Sequence, residues 1–238
     1  MFFWTLLLAH IIADFPLQTD TIYRLKTRYT WGVLPHVFIC TVINTLALLP
    51  YLQNINTWIA IVFLAAVHIV LDRTKISVSE KIARDNFIQF SIDQFLHILS
   101  IWLAAVWLNH TIDVSSYQVS NILANRQLMI QLVALIFATF AGVPIVFYAI
   151  KYWRHHLSEP AHDDVQYPTF LRRVPGHFER FLSTLCVIWG GWWWLLAVGV
   201  FIPRIILNWK EDRSAGIVSA ITGFIICLCC GLAVKILV

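Results

Sequence analysis

Charged residues are scarce in this chain. Asp, Glu, Lys and Arg make up 13% of its 238 residues, whereas hydrophobic residues make up 59%, and the mean hydropathy is +0.74. So little charge excludes an ordinary soluble domain, and it predicts a protein that crosses a membrane several times. The net charge of +4 comes from Lys and Arg in the predicted loops. That placement fits a membrane topology signal better than a nucleic-acid-binding surface.

Several common functional motifs are also missing. The sequence has no Gly-rich phosphate loop, no dinucleotide-binding fingerprint and no Ser nucleophile elbow. Its five cysteines, Cys40 among them, lie in apolar stretches without zinc-site spacing. We therefore expect free thiols that take no part in a metal site. The stretch 1–15 lacks a basic n-region and a small-residue cleavage site, so we expect it in the mature protein.

Seven apolar stretches predict an all-α fold, a polytopic bundle of about seven membrane helices. The stretches are 2–17, 33–50, 57–72, 87–109, 127–152, 181–203 and 216–238. They divide the chain into a four-helix core (1–110), a fifth helix with its preceding outer loop (111–150), a cytoplasmic loop (151–180) and two C-terminal helices (181–238). The loop 151–180 is polar and rich in proline, which marks it as the joint between front and back parts.

The basic residues of the loops predict the orientation in the membrane. Twelve Lys and Arg residues follow the first, third and fifth stretches, against four on the opposite side. Because basic loops stay in the cytoplasm, we expect the N-terminus outside and the C-terminus inside.

Three His/Asp pairs stand out in these apolar stretches. Each pair is spaced four residues apart, and the pairs are His10/Asp14, His68/Asp72 and Asp93/His97. Residues at that spacing share one face of a helix. With the orientation above, every Asp lies nearer the cytoplasm and every His about 6 Å deeper. His36, after Pro35, falls at a similar depth. Ionisable groups inside a membrane are costly, so this arrangement predicts a functional site.

The predicted site has the chemistry of a metal centre. Imidazole nitrogens and carboxylate oxygens suit zinc, manganese or iron, and the three pairs could hold one or two divalent ions. His36 would be a further ligand or, with Lys75, a catalytic group. Nearby polar residues would contact the substrate, and these are Gln18, Lys75, Gln94, Glu179 and Arg180. A site at headgroup depth suits a phosphorylated lipid or isoprenoid, so the expected partner is a membrane lipid and no nucleic acid.

Three functions are compatible with this pattern. The first is a membrane-embedded, metal-dependent hydrolase at the cytoplasmic leaflet. The second is a proton- or ion-coupled transporter or channel that uses the same His and Asp layers. The third is a scaffold without catalytic activity, in which the pairs are hydrogen bonds between helices and Asp72 caps a helix end. The sequence leaves homo-oligomerisation open.

The polar positions also carry a family resemblance. The front part resembles a bacterial membrane family known as domain of unknown function number 3307. The resemblance rests on His10-x-x-x-Asp14-Phe15-x-x-Gln18, a His at 36, His68-x-x-x-Asp72-x-x-Lys75 and Asp93-Gln94-x-x-His97. Gly176-x-x-Glu179-Arg180 is similar to a family element more loosely. The resemblance implies a multi-pass protein of the bacterial inner membrane, and it supplies no known reaction. The ligand set is also similar in kind to that of membrane-bound metal-dependent hydrolases.

Overall fold

The computed structural model describes residues 1–82, 87–157, 167–208 and 213–238. All regular elements within these ranges are helical, which confirms the all-α prediction. The chain forms two compact units, Met1–Met129 and Ile130–Val238. Each unit is described by itself below.

The first unit contains a closed ring of four helices. Its helices are α1 (Phe2–Asp14), α2 (Asp20–Arg28), α3 (Val33–Ala47), α4 (Ile55–Ile82), α5 (Phe87–Thr111) and the short α6 (Asn121–Ala124). Helix α1 packs against α3 and α5, and α4 packs against the same two helices. Small buried side chains let these backbones approach closely, among them Ala9 and Ala13 on α1, Ala60 on α4 and Ala104 on α5.

Helix α2 lies in a segment that we predicted as a loop. Thr19 is the N-cap residue of α2, and its Oγ1 accepts a hydrogen bond from the backbone N–H of Ile22 at 3.4 Å. Asp20 in the first turn and Lys26 and Arg28 in the last turn complement the helix dipole. The helix packs against α3, and its Lys26 side chain is buried.

The second unit is a helical assembly with two irregular points. It holds most of α7 (Arg126–Ile136), then α8 (Gly142–Leu157), α9 (Phe170–Trp189), α10 (Trp193–Gly199), α11 (Ile202–Asn208) and α12 (Arg213–Leu237). A π-helical turn, Phe137–Ala141, joins α7 to α8. Gly190 and Gly191 have φ values of +76° and +58°, a backbone conformation that favours glycine, and they separate α9 from α10.

Seven membrane crossings are not confirmed. Among the residues that the structure describes, four helical spans are long and apolar enough to cross a membrane: Ile55–Ser79, Phe87–Thr111, Arg126–Arg154 and Ser214–Leu237. The same residues include three shorter apolar stretches, Phe2–Asp14, Val33–Ala47 and Trp193–Ile206. The predicted membrane segment 181–203 is not one continuous helix, because the two glycines with positive φ end α9 after Trp189.

Helix α9 begins at Phe170, inside the segment 151–180 that the sequence predicts as a loop. Polar residues such as Arg172 and Arg173 suggested solvent there, but α9 places Gly176, Arg180 and Thr184 on a buried face. That face packs against α12 and the π-helical turn. Residues 158–166 of the predicted loop lie outside the described residues.

Candidate metal centre

The three His/Asp pairs meet inside the four-helix ring. Helices α1, α4 and α5 each contribute one His and one Asp, and none of these six residues is more than 7% exposed. Helix α3 adds His36, which is fully buried. The i,i+4 spacing explains why each helix can present both members of its pair to one interior. The structure therefore brings together all seven of these predicted residues.

Four side chains form the tightest group. The Nε2 atoms of His36 and His68 are 3.1 Å apart, and they lie 3.2 and 3.4 Å from Oδ1 of Asp14. The Sγ atom of Cys40 lies 3.7 Å from His36 Nε2, 3.9 Å from His68 Nε2 and 3.9 Å from Asp14 Oδ1. One nitrogen, oxygen or sulfur atom from each residue thus faces the same point, so this group could hold a metal ion.

The presence of Cys40 corrects the prediction that the metal site lacks cysteine. Cys40 lies one turn after His36 on α3 and is 3% exposed. Its spacing from His36 is the same i,i+4 spacing that drew attention to the His/Asp pairs. That signal was present in the sequence, but buried cysteines in apolar helices are common without a metal role.

A second group shares His68 with the first. His68, Asp72 and His97 each offer one ligand atom, and these atoms lie within 4.8 Å of one another. The Nδ1 atom of His97 donates a hydrogen bond to the Asp93 carbonyl oxygen at 2.9 Å. This bond leaves Nε2 of His97 with the lone pair, and that atom is buried without a hydrogen-bond partner among the described residues. A histidine ligand commonly has its other nitrogen fixed in this way.

His10 and Asp93 lie beside the two groups and belong to neither. The His10 ring stacks on the His97 ring with centroids 5.1 Å apart. Its Nε2 atom lies 3.7 Å from Asp14 Oδ2. Asp93 faces Lys75, whose Nζ lies 3.0 Å from its Oδ2. Of the six residues predicted to bind metal, Asp14, His68, Asp72 and His97 fall in the two groups.

A buried lysine that sequence reasoning missed completes the site. Nζ of Lys26 lies 2.6 Å from Asp72 Oδ2 and donates to Oε1 of Gln18 at 3.2 Å. The amide of Gln18 in turn donates to the carbonyl oxygen of Asp14 at 3.2 Å. Lys26 looked like one more loop cation, and only the packing of α2 against α3 brings it to the carboxylates.

With neutral histidines, the three carboxylates of the cluster outnumber its two lysines. Lys26 pairs with Asp72, and Lys75 pairs with Asp93, where Gln94 also donates to Asp93 Oδ2 at 3.2 Å. Within the described residues, the ion-pair partners of Asp14 are histidines only. A buried carboxylate requires a compensating positive charge. A cation between Asp14 and its histidine neighbours would supply it.

A small cavity with both polar and apolar lining adjoins the cluster. Its volume is about 10 Å³, which is about the space one water molecule needs. Its polar lining consists of His10, Cys40, Thr41, Asn44, His68, His97 and Ser100. The polar interior therefore extends beyond the His layer toward Asn44 and Ser100.

Glu179 and Arg180, predicted to contact substrate, belong to the second unit. The guanidinium of Arg180 is buried and donates to the carbonyl oxygens of Ala138 and Thr139 at 2.9 Å each. These carbonyls lie in the π-helical turn, where the regular α-helical hydrogen bonding is interrupted. Glu179 Oε2 lies 2.7 Å from Nε of Arg204. The contacts described for both residues are thus made inside the second unit.

Comparison with known proteins gives one match. No curated protein and no solved structure matches the chain. A family model described as a protein of unknown function, DUF3307, matches residues 2–129, which is more than half of the chain. The match spans every residue of the cluster described above. The chain therefore belongs to the DUF3307 family of proteins of unknown function.

Proposed function

We propose that the first unit is a membrane-embedded, metal-dependent hydrolase acting on a phosphorylated lipid. The observation that carries the proposal is the pair of buried ligand groups that share His68. Two neighbouring groups of this kind suit a site for one or two divalent ions, which is a common arrangement in enzymes that cleave phosphoesters.

The residues present fit a metal by three criteria. Their donor atoms are nitrogen, oxygen and sulfur, the usual ligands of zinc. Asp14 has only histidines as its described ion-pair partners, so a cation bound between neutral histidines and Asp14 would balance the carboxylate charge. Finally, the hydrogen bond from His97 Nδ1 to a backbone carbonyl orients its Nε2 for coordination.

The depth of the site supports a lipid headgroup as the substrate. At about 1.5 Å rise per residue, Asp72 lies about 26 Å and Lys75 about 30 Å along α4 from Ile55. The hydrocarbon core of a bilayer is about 30 Å thick, so these residues reach its edge. The Lys75 side chain is 26% exposed, whereas those of the ligands are nearly buried. A phosphate would therefore enter beside Lys75, on the side that the loop charges assign to the cytoplasm.

The proposed reaction is hydrolysis of a phosphate monoester. A bound divalent ion would supply the Lewis acid that polarises the phosphoryl oxygens. Lys26, Lys75 and Gln18 would hold the phosphate and offset its charge. The water oxygen forms a bond to phosphorus, the bond from phosphorus to the lipid oxygen breaks, and the products are a lipid alcohol and inorganic phosphate.

Proton transfer in this reaction is assigned to His10 and Lys75. His10 Nε2 is buried and has no hydrogen-bond partner within the described ranges, so it can take a proton from the attacking water. The leaving lipid oxygen takes its proton from the Lys75 ammonium group, which is restored from solvent. His36, our first candidate for acid–base catalysis, has its Nε2 in the ligand group instead.

The test combines metal content with activity. Purified wild-type protein, a His68→Ala variant and a His110→Ala control are analysed by elemental mass spectrometry and for phosphate release from lipid phosphates. His110 is an exposed histidine on α5. We expect metal and activity in the wild type and the control, and loss of both in His68→Ala. Bound metal without phosphate release from any lipid phosphate would reject the hydrolase.

The polar residues of this cavity favour a second candidate, an ion- or proton-coupled transporter. Asn44 and Ser100 continue the polar interior past the His layer, as a path across the membrane requires. This candidate predicts ion flux into liposomes that His68→Ala abolishes and His110→Ala leaves unchanged. If neither metal nor flux is detected, the cluster is a set of interhelical hydrogen bonds in a scaffold.

A further inference from the structure

The group of Asp14, His36, Cys40 and His68 has the shape of a tetrahedron. All six distances among its four donor atoms are short. The three distances among nitrogen and oxygen atoms are 3.1, 3.2 and 3.4 Å, and the three that involve Sγ of Cys40 are 3.7, 3.9 and 3.9 Å.

These distances can be compared with those of a tetrahedral zinc site. Zinc bonds of about 2.0–2.1 Å to nitrogen or oxygen give distances of about 3.4 Å between those ligands. A bond of about 2.3 Å to sulfur gives about 3.6 Å between sulfur and its neighbours. The observed distances agree within about 0.4 Å, and the longer ones are those to sulfur. A chain of hydrogen bonds requires only some of these pairs to be close, whereas a shared cation requires all six.

Cys40 decides which metal such a site selects. Thiolate is a soft ligand that favours zinc over manganese, which prefers carboxylate, carbonyl and water oxygens. Cys40 is only 3% exposed, so its thiol faces the interior of the ring and not a metal ion in solvent. We infer that Cys40 is a zinc ligand, and that Asp14, His36, Cys40 and His68 form a closed four-coordinate zinc site.

The inference rests on the proposed metal centre and deepens it. Structural zinc sites are usually filled by four protein ligands, whereas catalytic sites keep a position open. The second group shares His68 with the Cys40 site, so Asp72 and His97 are the ligands that belong to it alone. The Cys40 site would therefore hold helices α1, α3 and α4 of the ring together, and the second group, whose own ligands leave coordination positions open, would be the place where a substrate binds.

Cobalt substitution tests this assignment in the full-length protein. Metal-stripped protein is titrated with Co²⁺, whose thiolate complexes absorb strongly in the near ultraviolet and whose tetrahedral complexes have intense visible bands. Wild type is compared with Cys40→Ser and with a matched Cys229→Ser control. Cys229 is an exposed cysteine of the second unit. We expect the thiolate band in wild type and Cys229→Ser, and its loss in Cys40→Ser.

A second measurement uses wild-type protein alone, so it remains available if Cys40→Ser fails to fold. Alkylation of Cys40 by a membrane-permeant maleimide is followed by mass spectrometry with and without Zn²⁺. We expect zinc to slow the alkylation of Cys40 at least 10-fold and to leave that of Cys229 unchanged.

We also expect Cys40→Ser to weaken zinc binding by at least about the 10- to 100-fold seen for outer-shell substitutions.

The outcomes separate this inference from the proposed function. A thiolate band without any phosphohydrolase activity would support the zinc site and reject the hydrolase. Bound cobalt without a thiolate band, or a band that persists in Cys40→Ser, would overturn the role of Cys40 while leaving a metal centre. Absence of bound metal, with equal alkylation in the presence and absence of zinc, would overturn both.

Discussion

Removal of the Lys26 ammonium group tests the charge balance of the cluster. The perturbation is Lys26→Met, which keeps a long apolar side chain and deletes the charge. Lys26 Nζ lies 2.6 Å from Asp72 Oδ2, and the two side chains are only 9% and 2% exposed. The variant would leave the Asp72 carboxylate buried without its ion-pair partner.

The expected magnitude follows from two limits. Breaking a buried ion pair by removing one partner costs about 3–5 kcal/mol. A buried carboxyl group can instead take up a proton, which at pH 7 costs about 4 kcal/mol for a group that ionises near pH 4 in water. We therefore expect Lys26→Met to lower the free energy of unfolding of the metal-free protein by about 3–4 kcal/mol.

Metal should restore part of this loss. A divalent ion near Asp72 would replace the missing positive charge, and a ligand at 1,000 times its Kd stabilises the native state by about 4 kcal/mol. The assay is thermal or denaturant unfolding in detergent micelles, followed by Trp fluorescence with and without Zn²⁺. Arg24→Met, an exposed change on the same helix, is the control and should shift stability by no more than about 0.5 kcal/mol.

Two results would refute the reasoning. A loss below about 1 kcal/mol in Lys26→Met would mean that the Lys26–Asp72 pair is solvated. A full loss that zinc fails to reduce would mean that no cation binds beside Asp72.

Two further predictions concern the second unit. Gly190→Ala should destabilise the protein by about 1–3 kcal/mol, because φ is +76° and a Cβ there would lie 2.6 Å from Lys235 Nζ. Gly199→Ala should change the unfolding midpoint little, because the added Cβ meets no described atom within 4 Å apart from its chain neighbours and the backbone of its own helix. Equal effects of the two substitutions would contradict the strain argument. Arg180→Met should cost at least about 3 kcal/mol, because it leaves two buried carbonyl oxygens without their charged donor. Arg180→Lys should lose less stability, because it keeps a charged donor. Thermal unfolding of both variants in micelles measures the difference, and equal losses would contradict this role of Arg180.

Local sequence patterns were sufficient to predict the helices of the four-helix ring and to predict that both members of each His/Asp pair share one helix face. The i,i+4 spacing of His10 with Asp14, and of His68 with Asp72, depends only on helix geometry. Cys40 has the same spacing from His36, but sequence reasoning did not assign it to the site because cysteine is also a common apolar residue in buried helices. The hydrolase, its lipid substrate and its orientation in the membrane stay predictions.

The sequence by itself determined that the chain is helical, that it is apolar enough for a membrane, and that three helices each carry a His and an Asp on one face. Only the tertiary structure decided which of these groups share a point, because each ligand group combines side chains from more than one helix. Lys26 meets Asp72 across 46 positions of the chain, and Arg180 reaches carbonyls 41 and 42 positions away. Periodicity reports which face a residue occupies, whereas the contacts of that face depend on how the helices pack.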